Sequence, residues 1–515
     1  LSVVAVSLKK KAEVWAPNPR NEGKLEPIPK LLPTCQTPAG EGQIVYTDSP
    51  KAIANQKAVM EYLLINHPVD CPVCDQAGEC LLQDYSYQYG RSQSRFQEQK
   101  IKQPKKDVGP HVLLYSDRCI MCTRCVRFTR EVTGTGELIV EGRGAYEQID
   151  VFPGMALDNE LSANVIDLCP VGALLDKDFL FQQRVWFLKK TPSIDGLTCS
   201  GDNISVEHND GQVYRFKPRR NLEVNRYWIT DEVRYGWKFV HREDRLSLPA
   251  IRGEEPFEPT EAPLAYEAAY TAANDRLVEA QNILLVVSPM LSCEDAWHLA
   301  RWIRSYEGEV QLAIGPVPTE GEDKTFKDGF TMYAEKAPNA RGVRRVLESF
   351  GGKALGYEAA LKAMSSDKDA AVVITANYPS DWVTDELMSA IGPAGDGQTG
   401  RFVLLIDTLP NRLTERADVL LPGATWVEKA GTFENVNNRL QAFDRAIMPL
   451  DYCKTEAQIA IDLAATRDGE RSPAFNPAMT RQTMASEGGM QTFLTDVHIP
   501  TEHVEAESDM ELVQL

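Results

Sequence analysis

Eleven cysteines constrain this chain more than any other feature, because seven of them crowd between Cys71 and Cys169. The remaining four stand at Cys35, Cys199, Cys293 and Cys453. In a cytosolic chain, cysteines two residues apart mark metal or redox sites more often than disulfides. The first group reads His67-Pro-Val-Asp-Cys71-Pro-Val-Cys74-Asp-Gln-Ala-Gly-Glu-Cys80, which places one imidazole and three thiols within fourteen residues. On spacing alone this suits a structural zinc site with three thiolates and one imidazole. A lone histidine beside a proline is ordinarily a loop residue. Here it completes a set that is otherwise one donor short.

The second group decides the metal. Cys119-Ile-Met-Cys122-Thr-Arg-Cys125 is followed, after 43 intervening residues, by Cys169-Pro170. Three thiolates so close together wrap three corners of a cubane, and the remote Cys-Pro supplies the fourth, as ferredoxins hold [4Fe–4S]. Zinc sites more often use two separated pairs. The second group is therefore read as an iron–sulfur site, and the first with it. A neutral imidazole in place of a thiolate makes a cluster less negative and tends to raise its potential. Clusters with four protein ligands offer no open position to a substrate, so the pattern describes electron relay more readily than catalysis.

Length and charge narrow the setting. A chain of 515 residues is expected to form three or four domains. Lys and Arg total 55 against 74 Asp and Glu, a net charge of −19, which argues against nucleic acids and anionic membrane surfaces as partners. No apolar run approaches the roughly 18 residues of a membrane span, so membrane contact is expected only through partners. The chain begins with Leu1, and the basic run Lys9–Lys11 follows the short apolar opening instead of preceding it. It reads as cytoplasmic, with a clipped or altered start.

The stretches HPVDCPVCDQAGECLLQDYSYQYG (67–90), DRCIMCTRCVRFTREVTG (117–134) and DLCPVGAL (167–174) closely resemble the large iron–sulfur subunit of NADH–quinone oxidoreductase, respiratory complex I. This is the G-type subunit of bacteria and the 75 kDa subunit of mitochondria. The resemblance implies that His67, Cys71, Cys74 and Cys80 bind one [4Fe–4S] cluster and that Cys119, Cys122, Cys125 and Cys169 bind another. It implies an electron-transfer subunit that relays electrons from the NADH/flavin subunit towards quinone, with substrates bound on partner subunits. Flavin/NADH-binding and ferredoxin-like peripheral-arm subunits are the implied partners, and the cytoplasmic face of the inner membrane is the implied location.

Two departures from that family stand out. Its members open with a ferredoxin-like domain that holds a [2Fe–2S] cluster on four cysteines. Here Cys35, in LLPTCQTPAGEGQIVYTDS, matches the last of them, and residues 1–34 contain no cysteine. Cys35 alone cannot hold that centre, so no [2Fe–2S] signal is expected. A missing N-terminus is favoured over true loss. In residues 190–245, which resemble the small iron–sulfur domain of molybdopterin oxidoreductases, Asp195, Thr198, Asp202 and Thr230 stand where cysteines are expected. Cys199 is out of register, and this domain is expected to be structural and free of metal. Ten Lys or Arg between 215 and 252, interleaved with aromatics, are read as a solvated β surface or subunit contact instead of an RNA patch.

After a proline-bearing stretch, 246–264, apolar runs such as Ile283–Val287 and Phe402–Ile406 alternate with helical patterns, which predicts a doubly wound parallel sheet. ADVLLPGATWVEKAGTFENVNNRLQ (417–441) resembles the molybdopterin-binding superfamily, with Gly431, Thr432, Phe433 and Asn435 in its turn. No molybdopterin is expected, and Cys293 is read as an inert buried thiol. The glycine-rich GPAGDGQTG (392–400) precedes a strand and is read as a surface turn. The expected architecture is an α/β multidomain chain. It comprises a ferredoxin-like remnant (1–60), a two-cluster segment (61–189), a small β-rich domain without cysteine ligands (190–245), a linker (246–264), a C-terminal doubly wound α/β domain of molybdopterin oxidoreductase type (265–467) and a tail (468–515). Two competing readings remain: a molybdenum or tungsten oxidoreductase such as a formate dehydrogenase, and a zinc-bound scaffold with no redox role.

Overall fold

The computed structural model describes residues 11–17, 23–27, 31–33, 38, 41–394 and 400–500. Cys35 lies outside the described residues, as do most of the turn expected at 392–400 and the last fifteen residues of the expected tail. Two compact units emerge. Leu1–Leu188 falls in one, and Lys189–Thr325 with Phe330–Glu502 makes up the other.

In the first unit, Lys11–Pro17 pairs antiparallel with Leu25–Pro27, Leu32–Pro33 and Ile44–Tyr46. Helix α1 (Pro50–Ile65) follows. The Ser49 hydroxyl accepts the Ala52 amide at 3.2 Å and Pro50 occupies the first turn, the residue types that start a helix best. Helix α2 (Leu81–Tyr89) packs against α1. Met60 of α1 and Leu82 of α2 are buried with Ile120, Val171 and Ala173. Cys80, Cys119, Cys122 and Cys169 line the edge of this same core, so both cysteine groups share one apolar cluster. Each such buried aliphatic side chain contributes about 1.5–3 kcal/mol.

The second unit centres on a six-stranded sheet. Its strands are β1 (Ala250–Ile251), β2 (Asn282–Val287), β3 (Glu309–Ile314), β4 (Ala371–Thr375), β5 (Val403–Asp407) and β6 (Val419–Pro422), in the order β1-β6-β5-β4-β2-β3. All neighbouring pairs are parallel except β1 with β6. Alternate residues face opposite sides. Ile283, Leu285 and Val287 join one core with Tyr270, Trp297 and Leu463, while Leu284 and Val286 join another with Met364, Leu387 and Leu413. Helices therefore cover both faces, as a near-continuous apolar strand pattern requires. The doubly wound expectation holds.

Two segments differ from expectation. Residues 246–264 do not form a free connection. The Leu246 amide donates to the Thr408 carbonyl at 3.0 Å, Ala250–Ile251 becomes the edge strand β1, and a helix begins at Ala262. Prolines permit this because an edge strand needs fewer amide donors. Nor is 468–500 a loose tail. Helix Pro477–Ser486 buries Met484, and Phe493 of the next helix enters the same core.

The small antiparallel sheet Lys189–Ile194, Asn203–Asn209, Gln212–Pro218 belongs to this same unit. Trp426 explains why. It is 3% exposed, stacks on Phe239 at 5.7 Å and meets Phe216 edge-on at 6.0 Å, and a Cβ on Gly196 would overlap its ring. Trp426→Ala should therefore lower the stability of this unit by about 3–5 kcal/mol. A shift of the urea midpoint at constant slope would measure that loss, and an unmoved midpoint would show that the two sheets do not depend on this ring.

Candidate metal centres

Strand pairing in the first unit explains how Cys169 joins a triplet that ends 44 residues earlier in the chain. Val112–Tyr115 runs antiparallel to Leu174–Asp176, with Leu114 opposite Leu174, and the Tyr115 amide donates to the Ala173 carbonyl at 2.7 Å. The residues after Tyr115 therefore lie beside those before Leu174. Helix Asn164–Leu168 delivers Cys169 as its C-terminal cap, the Cys169 amide donating to the Val165 carbonyl at 3.0 Å. Cys119, Cys122, Cys125 and Cys169 line one small cavity, together with Leu114, Ile149 and Val171.

The loop between the three clustered cysteines is unusual. Met121 and Thr123 have φ of 52° and 60°, left-handed values that side chains bearing a Cβ adopt at a cost. Successive amides in such a turn point inward and make an anion-binding concavity. The Met121 amide donates to the Cys119 sulfur at 3.4 Å. Backbone amides of Val171, Ala173 and Leu174 also face the Cys169 sulfur. A π-helical turn, Thr129–Thr133, follows directly, a feature frequent near functional sites.

The first group lies beside it. The Cys74 amide donates to the Cys71 carbonyl, and the amide of Leu81 to the Pro170 carbonyl at 3.1 Å. The Cys80 thiol approaches that same carbonyl at 3.9 Å. A Cβ on Gly172 would collide with the Cys74 sulfur, so only glycine permits this approach. Residues 169–172 thus carry Cys169 of one set and press against Cys74 and Cys80 of the other. Arg184 closes the outer side, donating to the Cys74 carbonyl at 2.8 Å and to Pro72. Cys71 is exposed and Cys74 is buried.

The electrostatics fit metal-bound sulfur. Burial pushes the thiols of Cys80 and Cys169 up to about 11 and that of Cys119 to about 12, and raises Cys125 and Cys74 as well. Thiolates in such surroundings need a cation, and iron supplies one. The buried Nδ1 of His67 has no hydrogen-bond partner. Burial, then the charges of Arg118 and Lys100, bring its pKa down to about 4, so the ring is neutral at physiological pH. Among the described residues, no three His, Cys, Asp or Glu side chains are already gathered as a single ion would require. A cubane distributes its four protein ligands over four irons, so its donors converge less closely than those around one ion.

The 190–245 region holds a different arrangement. Asp195 accepts the amides of Leu197 at 2.8 Å and Thr198 at 3.1 Å, and the hydroxyls of Thr198 at 2.5 Å and Ser200 at 3.2 Å. Thr230 caps helix Asp231–Tyr235 through the Val233 amide. Hydrogen bonds therefore tie down positions where thiolates were expected. Cys199 is buried among protein atoms, its amide and carbonyl bonded to Glu335 and Val436. Cys293 is also buried, 3.5 Å from the Asn339 amide group, its thiol raised well above the usual range by burial. Cys453 donates to the Leu246 carbonyl at 3.2 Å.

At the carboxyl ends of β2 and β4 lies the crevice where sheets of this winding bind ligands. Met290, Ala337, Ala376 and Tyr378 form a buried apolar cluster there. Gly431, Thr432 and Phe433 belong to a hairpin, Gly431–Glu434 with Leu440–Phe443, and Asn435 closes its turn by accepting the Asn437 and Arg439 amides. Sequence reasoning passed over Arg118, Gly172 and the left-handed Met121 and Thr123. Glycine or asparagine at the last two would have signalled the turn, and neither is present.

Asp195 and Asp202 generate a prediction. Burial raises Asp195 from the ordinary 3.8 to about 6, and raises Asp202 well above its usual value, with Asp195 adding repulsion. Both folded pKa values lie above the unfolded ones. Their contribution favours folding below about pH 4 and is lost as pH rises towards and beyond 6. Asp202→Asn should raise the thermal midpoint at pH 7.5 and leave it nearly unchanged at pH 4, by roughly 2–4 °C per kcal/mol relieved. Equal shifts at both pH values would contradict this.

Comparison with known proteins is consistent with this layout. Four family models match: the NADH-ubiquinone oxidoreductase-G iron-sulfur binding region over 56–95, the ferredoxin-like domain of NADH-quinone oxidoreductase subunit 3 over 109–175, the 4Fe-4S domain of the NDSU1/NuoG-like NADH-ubiquinone oxidoreductase over 188–238, and molybdopterin oxidoreductase over 391–466. The third match covers a stretch with a single cysteine, Cys199. The NADH-ubiquinone oxidoreductase 78 kDa subunit of Neurospora crassa mitochondria is 44% identical over 261 residues, covering 49% of this chain and 35% of that protein. The mitochondrial NADH dehydrogenase [ubiquinone] iron-sulfur protein 1 of Solanum tuberosum is 45% identical over 45% of this chain and 31% of that protein. The G-type subunit of NADH-quinone oxidoreductase from Rickettsia felis is 41% identical over 44% of this chain and 34% of its own length. The aligned stretches thus span about a third of these relatives.

Proposed function

We propose that this chain is an electron-relay subunit of the type of the large iron–sulfur subunit of NADH-quinone oxidoreductase, passing electrons between an NADH/flavin subunit and quinone, a reading supported by the family models and relatives it resembles. In this reading His67, Cys71, Cys74 and Cys80 hold one [4Fe–4S] cluster, and Cys119, Cys122, Cys125 and Cys169 hold the other. The observation that carries it is the shared segment 169–172, which contributes a donor to one set and touches the other. When bound, the clusters accept and release single electrons. The chain's own residues position them: the left-handed turn at Met121 and Thr123 aims amides at sulfur, and the common apolar core keeps water out.

Flavin/NADH-binding and ferredoxin-like subunits of the peripheral arm are the proposed partners, with the cytoplasmic face of the inner membrane as the site of action. No helix among the described residues is long and apolar enough to cross a membrane, which agrees with attachment through partners. The matches to NADH-quinone oxidoreductase subunits support relay over a molybdenum or tungsten enzyme such as formate dehydrogenase.

Purified without oxygen, the full chain should carry about eight irons as two cubanes. Four irons, or stoichiometric zinc, would contradict this. His67→Cys should still assemble the cluster and lower its midpoint, since a thiolate adds negative charge. His67→Ala should leave it labile. Wild-type titrations from both variants would remove His67 from the ligand set.

A further inference from the structure

Arg118 is a buried cation placed between the two donor sets. Its side chain is only 4% exposed. Nε and Nη2 donate to Oδ2 of Asp70 at 3.1 and 2.9 Å, and Asp70 lies between His67 and Cys71. Nη1 reaches the Gly172 carbonyl at 3.5 Å, on the backbone that presses against Cys74. The guanidinium lies over the Tyr115 ring at 4.1 Å, which fixes it from the remaining side. Three segments, 67–71, 115–119 and 169–172, therefore converge on one charge.

We propose that Arg118 sets the midpoint potential of the centre held by His67, Cys71, Cys74 and Cys80, raising it above the value the same ligands would give without that charge. This rests on the ligand assignment above. One electron enters the centre, supplied in the assay by dithionite, and no bond forms or breaks. The added negative charge is stabilised by a fixed cation that water screens poorly at this depth. Asp70 offsets part of the charge, but it is the more exposed partner, at 29% against 4%, so solvent weakens its field more. The hydrogen bonds of Arg118 place its charge against the first set: Asp70 adjoins Cys71, and the Gly172 backbone presses on Cys74.

The test is an EPR-monitored redox titration of the full chain and three variants, with iron counted in each. Arg118→Met should keep about eight irons, lower the midpoint of the His67-containing centre, and move the other centre less. Arg118→Lys should restore a midpoint near wild type. Arg118→Met combined with Asp70→Asn removes both charges and should bring the value back towards wild type. An unmoved or raised midpoint in an iron-replete Arg118→Met, or equal shifts at both centres, overturns the inference. If Arg118→Met loses iron, Asp70→Asn alone decides: a raised midpoint supports the proposal and an unmoved one ends it. A wild-type chain without iron would sink the ligand reading and this inference with it, whereas eight irons with unmoved midpoints sink this inference alone.

Discussion

The pairing of Val112–Tyr115 with Leu174–Asp176 is the constraint on which the metal-binding unit depends. Backbone hydrogen bonds of this kind contribute about 0.5–1.5 kcal/mol each, so three paired residues make a modest anchor. Its geometric effect is much larger. It sets Cys169 beside the Cys119 loop and, through the backbone that follows, lays Leu81 and Cys74 against the same segment. A cluster of Met60, Leu82, Ile120, Val171 and Ala173 lies beside this segment, with Cys80, Cys119, Cys122 and Cys169 packed against it. The ladder's own Val112, Leu114, Leu174 and Leu175 are buried as well, so the donors sit on a substantial apolar interior.

In the second unit the sheet is covered on both faces, and several of its buried charges are matched within the chain. Lys429 meets Asp295 at 2.9 Å and Glu456 at 2.5 Å, all about 1% exposed. Arg245 donates to both oxygens of Glu428. Removing one member of such a set leaves a bare charge in the interior, which is costly. The Asp195 loop follows the same logic, with hydroxyls and amides satisfying a carboxylate where a metal-binding loop would need thiolates.

How much of this the sequence revealed follows from the range of the forces involved. Cysteine spacing is local chemistry, and it marked both donor sets and the remote Cys169. Strand alternation is local too, and Ile283–Val287 and Phe402–Ile406 formed parallel strands as their apolar runs suggested. The edge strand Ala250–Ile251 and the helix bearing Met484 were not legible, because their burial is decided by distant partners. Pro249 and Pro256 suggested a free connection, yet the partner strand at Val419 captures the chain between them. Arg118 reads as one of many surface cations until Asp70, Tyr115 and Gly172 are seen around it.

The backbone from Cys169 to Gly172 carries one donor of one set and touches the other set, and this limits how each can change. A substitution that displaces it disturbs both donor sets together, so neither set is an independent module. The Asp195–Asp202 loop is tied instead to Glu335, Asn435 and Val436. In 190–245 the cysteine positions can give way to Asp195, Thr198, Asp202 and Thr230 while the sheet around them keeps its shape. Within one chain, backbone shared by two donor sets makes them a single heritable unit.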